Sequence, residues 1–94
     1  MAIRYNAATL GRLEKIVEEA GYTLRYERGT FQSGYCILEA RKVVVLNRFL
    51  QTEGRIHTIL ELMSSLEIDP LTLSPENRRY LQELTASMEA QARD

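Results

Sequence analysis

Apolar and polar positions along this chain change their period several times, and each change marks an element. Residues 7–20 carry Leu10, Leu13, Ile16, Val17 and Ala20 at helical spacing, with Arg12, Glu14, Lys15, Glu18 and Glu19 on the other face. Asn6 is placed to cap this helix, and Gly21 to end it, since a left-handed conformation costs glycine little. The period then falls to two. Tyr22, Leu24 and Tyr26 alternate with Thr23, Arg25 and Glu27, as a half-buried strand requires. Gly29 and Gly34 bracket the loop RGTFQSG, and a second strand is expected over Tyr35–Glu39. Ala40-Arg41 reads as a tight connection without the usual Asn-Gly chemistry. The third strand, Lys42–Leu46, contains the run Val43-Val44-Val45, which predicts a strand covered on both faces and hence a central one.

Helical spacing returns from about Thr52 to Leu66, where Ile56, Ile59, Leu60, Leu62, Met63 and Leu66 form one apolar arc. Asp69-Pro70 begins a linker. Ser74-Pro75-Glu76 combines a capping hydroxyl, a proline at the first helical position and a carboxylate at the positive end of the dipole. The helix it starts is expected to reach about Ala90, with Tyr80, Leu81, Leu84 and Met88 as its stripe and residues 91–94 frayed. The pattern therefore predicts one α+β domain over residues 1–94: an N-terminal helix, a three-stranded antiparallel meander and two C-terminal helices.

Composition narrows the function classes. A chain of 94 residues has room for one core and buries only about 60–65% of its unfolded surface, so a homodimer is a plausible supplement. The formal charge of -1 gives no global case for nucleic acid or membrane. Locally the balance differs, with residues 22–57 at +3 (Arg25, Arg28, Arg41, Lys42, Arg48 and Arg55 against Glu27, Glu39 and Glu53) and residues 58–94 at -4. Such a split attracts an acidic ligand or a second copy, or simply reflects solvated basic strand faces. A single cysteine, Cys36, excludes an internal disulfide framework and suits a reducing cytoplasm. Arg4, Asn6 and Arg12 interrupt any secretory core, and no apolar run approaches the ~18 residues that span a bilayer.

Candidate chemistry is sparse. His57 is the only histidine, and Glu61 lies four residues on, so both project from one helix face. A zinc site on one helix normally uses two histidines at that spacing, with a glutamate after the first as general base. Here Cys36 or another carboxylate would have to complete it; the plain alternative is a surface pair between His57 and Glu61. Cys36 lies in a strand, where a free cysteine is usually buried and inert, whereas a nucleophile needs a neighbouring base. The RGTFQSG loop lacks the spacing and strand-to-helix context of a phosphate loop. Phe31, flanked by Arg28 and Tyr35, could dock in a partner or fold back on the sheet. Asn47 should serve loop backbone groups at the end of the third strand. Tyr26, Glu27 and Arg28 either point outward as a site or inward as a support for the hairpin.

Two resemblances rest on these residues. Gly34-Tyr35, then Val43-Val44-Val45-Leu46-Asn47, then Arg55-Ile56 leading to Glu61-Leu62 resemble the first half of IrrE/ImmA-type zinc peptidases, over residues 21–64. Those proteins join a short helix, a small sheet and an arginine-led HExxH helix, and they cleave phage-type repressors. If Glu61 matches their catalytic glutamate, Leu60 and Ser64 occupy the places of the two zinc histidines, so the resemblance implies a scaffold without its metal. Gly21-Tyr22, Arg25-Tyr26-Glu27, Gly29, Phe31, Gly34-Tyr35-Cys36, Asn47 and Glu53-Gly54-Arg55 also resemble a pattern found in short bacterial proteins, a likeness that implies no activity.

The sequence reading is thus a cytoplasmic, non-catalytic protein-interaction module without cofactor or metal, its partner another protein or a second copy. The expected surface is Arg25, Tyr26, Arg28, Phe31, Tyr35, Arg41 and Arg48. The alternatives are a metal- or Cys/His-dependent hydrolase using His57, Glu61 and Cys36, and a weak nucleic-acid binder using the basic strand face.

Overall fold

The computed structural model describes residues 3–28 and 35–92, with the side chains at 35, 36, 39 and 88–92 outside the description. Helix α1 spans Ala7–Glu19. Thr9 N–H donates to Asn6 Oδ1 at 2.9 Å, the expected cap. At the other end Gly21 has φ +97°, while its N–H bonds Glu18 O and Tyr22 N–H bonds Val17 O. That paired closure requires a left-handed residue between the helix and the next strand, which is glycine's role here.

Strands β1 (Thr23–Glu27), β2 (Tyr35–Leu38) and β3 (Val43–Asn47) follow, then α2 (Thr52–Met63) and α3 (Pro75–Ala92). The sheet order is β1-β3-β2. β3 pairs antiparallel with β2, Cys36 opposite Val45, and parallel with β1, Arg25 opposite Val45 and Tyr26 opposite Leu46. The predicted antiparallel meander is therefore corrected: the sheet is mixed, and β2 lies at an edge. The physical reason is the valine run. Val44, Val45 and Leu46 are all buried, so β3 takes the inner place, while β1 alternates exposed and half-buried positions as an edge strand does. The connection at Ala40-Arg41 is also longer than expected. Glu39–Arg41 form a 3-10 turn, and Lys42 completes the reversal at φ 52°.

One core lies on one face of the sheet. Leu24, Tyr26, Ile37, Val44 and Leu46 meet Leu13, Ile16 and Val17 of α1, Ile56, Ile59 and Leu62 of α2, and Leu84 of α3. Helix α2 ends at Met63, short of the expected Leu66, although Leu66 stays in the core. Ser74 Oγ accepts from Asn77 N–H at 3.3 Å, so the predicted start of α3 holds. The helix runs on to Ala92, so Gln91 and Ala92 continue it where fraying was expected, while its side chain at 88 and residues 93–94 lie outside the described part.

Candidate functional site

The turn from β3 into α2 presents the most organised surface group. Asn47 Oδ1 accepts from Phe49 N–H at 3.0 Å, as the sequence led one to expect of that asparagine. Arg48 N–H donates to Glu27 O at 3.0 Å, and Leu50 N–H to Asn47 O at 3.2 Å. From α2, Arg55 donates through Nε to Leu50 O at 2.8 Å and through Nη2 to Arg48 O at 3.1 Å. Its guanidinium lies over the Tyr26 ring, 4.3 Å from the centroid. These five hydrogen bonds pin residues 47–50 to the ends of two parallel strands and the first turn of a helix.

Tyr26 supports this arrangement from beneath. Its hydroxyl donates to Glu14 Oε2, tying β1 to α1. Burial first, and then the Glu14 carboxylate, push the Tyr26 phenol above its usual range, with Arg55 pulling weakly the other way. Tyr26 is thus an inward support. Glu27 and Arg25 form an exposed ion pair at 3.4 Å on β1.

What the turn displays is Phe49, 66% exposed. The guanidinium carbons of Arg28 and Arg48 each lie 5.7 Å from its ring centroid. Both arginines are exposed, and among the described residues neither has a carboxylate within 4 Å. The structure therefore gathers Arg28 and Arg48 of the expected surface, and places Arg25 on β1 and exposed Arg41 in the 3-10 turn. Tyr35 is the register partner of Leu46, with its side chain outside the description, as is all of Phe31.

The expected polar site does not assemble as a pair. His57 sits 3.9 Å from Glu53, not on Glu61, and its ring stacks on Tyr5 at 4.6 Å between centroids. Stacking on Tyr5 accompanies an imidazole directed back toward the first turn of α2, so the partner is the glutamate four residues before it. Glu61 is solvent-exposed on the same helix. Cys36 belongs to β2 on the far side of β3 from β1. Among the described residues no three His, Cys, Asp or Glu groups come together in a way that could hold a metal ion. Leu60 is buried in the core, and Ser64 lies just past the end of α2. A surface groove between α1 and α3 is lined by Arg12, Pro75, Glu76, Arg79, Tyr80 and Glu83. Arg12 fills part of it, 4.0 Å over the Tyr80 ring and 3.5 Å from Glu76, and no thiol, hydroxymethyl or imidazole lines it.

Sequence reasoning missed Phe49, Arg55, Glu14 and Tyr5. Phe49 carried a signal: a large apolar residue in a short loop, outside the period of either neighbouring element. Arg55 stands in both resemblance patterns without a role attached to it, and Glu14 and Tyr5 act across segments, where no local pattern marks them. No family model, curated protein or solved structure matches the chain.

Proposed function

We propose that the protein is a non-catalytic interaction module that docks an acidic segment of a protein partner on Phe49, Arg28 and Arg48. The observation that carries this reading is an exposed aromatic ring with two arginine guanidiniums each 5.7 Å from its centroid, on a turn pinned by five hydrogen bonds. Aromatic and arginine side chains dominate binding hot spots, and a pre-ordered turn loses little entropy on docking. If Glu61 matches the catalytic glutamate of the zinc peptidases that the chain resembles, buried Leu60 and Ser64 past the end of α2 take the places of the metal histidines, which fits a scaffold of that type put to another use.

A photo-crosslinking amino acid at Phe49 tests it in cells, with the same group at exposed Leu71 as control. A discrete protein adduct at position 49, lost when Arg28 and Arg48 are both changed to alanine, is the expected result. Identical adducts from both positions would remove the reading. Zinc content separates the hydrolase: about one bound zinc per chain, lost in His57→Ala, would replace the interaction module by a metal enzyme. The arginine-flanked ring also favours a second reading, stacking of an unpaired base. Oligonucleotide affinity that falls steeply with salt would select that one.

A further inference from the structure

Strand β1 forms one edge of the sheet. Two bonds define its inner side: Thr23 N–H donates to Lys42 O at 2.8 Å, and Glu27 O accepts from Arg48 N–H at 3.0 Å. A parallel strand turns alternate residues toward its neighbour. Thr23, Arg25 and Glu27 therefore face β3 with their main-chain groups, and the N–H and C=O of Leu24 and Tyr26 point to the free edge. Among the described residues no strand pairs with that side. An edge of this kind is a template for another strand.

We propose that the β1 edge pairs antiparallel with β1 of a second copy, with Tyr26 opposite the second copy's Tyr26, giving a continuous six-stranded sheet. The charges choose both register and occupant. A two-fold axis through Arg25 would oppose Arg25 to its own copy, and one through Glu27 would oppose the two glutamates. An axis through Leu24 would need the N–H of Tyr22, which is already bonded to Val17 O. An axis through Tyr26 brings outward main-chain groups together and sets Arg25 opposite the second copy's Glu27 twice over. Arg25 and Glu27 are 58% and 44% exposed at their side chains, and the solvent-exposed pair they form at 3.4 Å within one copy is weak enough to exchange for the two pairs across the copies. A uniformly acidic or basic strand would leave one of them facing a like charge. The sequence of β1 complements itself.

Sedimentation velocity over a concentration series tests this on Arg25→Glu, Glu27→Arg and their equimolar mixture, with circular dichroism to confirm that each is folded. The intact chain should sediment as a dimer. Each single reversal should weaken association by about tenfold or more, as two attractive cross-strand pairs become repulsive. Mixing the two reversed chains should recover the dimer, since each then faces its opposite. A monomer at every concentration overturns the proposal. So does a dimer indifferent to both reversals, or a mixture that stays monomeric. Phe49→Ala should leave the dimer intact, which separates this surface from the one proposed for an acidic partner.

Discussion

Arg55 is the residue on which most of the displayed surface depends. It holds the carbonyls of Arg48 and Leu50 and covers the Tyr26 ring. Arg55→Ala should cost about 2–3 kcal/mol in urea denaturation, because two charge-assisted bonds and a stacked contact go together. Arg55→Lys should recover only part of this, since an ammonium lacks the planar fork. Tyr26→Phe should cost about 1–2 kcal/mol by leaving Glu14 without its hydroxyl. Tyr26 also sets a pH dependence. Its folded-state ionisation lies above the ordinary phenol value of 10.0, so its contribution is complete below that pH. It is lost as the pH rises further, because the unfolded chain ionises first. Denaturation midpoints should fall above pH 10 in the intact chain more than in Tyr26→Phe. At this scale the sequence was legible where one residue serves its own backbone, as Asn6, Gly21, Asn47 and Ser74 do. It was silent where a side chain bridges segments, as Arg55, Glu14 and Tyr5 do.

Among the elements, α3 is held to α1 by a carboxylate. Glu19 Oε1 accepts from Ser74 N–H at 3.0 Å and from the Asn77 side-chain amide at 3.1 Å, and these bonds draw its pKa below the ordinary 4.5. A lowered carboxylate stabilises the fold above its unfolded value and ceases to do so as the pH falls through the folded one. Acid should therefore release the start of α3 first. Hydrogen exchange of the Ser74 backbone N–H and the Asn77 side-chain amide should quicken in Glu19→Ala at neutral pH, and in the intact chain only at pH values below the ordinary 4.5 of a glutamate. Element types and most boundaries were readable from periodicity. Strand order was read inconsistently: the valine run asked for an inner β3, while short connections suggested a meander with β2 inside. Burial of Val44, Val45 and Leu46 decided it, and the parallel pairing of β1 with β3 leaves no mark in local sequence.

At the scale of the whole molecule, one core serves three helices and a single sheet face. Leu62→Ala, at a fully buried position that α2 contributes to that core, should cost about 3 kcal/mol by calorimetry or denaturant titration. His57→Ala, exposed on the same helix, should change stability by less than about 0.5 kcal/mol. The order β1-β3-β2 also constrains how the chain acquires its shape. β1 is made first yet cannot complete its pairing until residue 47 exists, because its only described neighbour in the sheet is β3. The β2–β3 pair is local and should form early, so substitutions there should slow refolding, whereas Thr23 and Arg25 substitutions should mainly hasten unfolding. A growing chain therefore carries an incompletely paired strand from Glu27 until Asn47 is added, with α1 the one finished helix beside it.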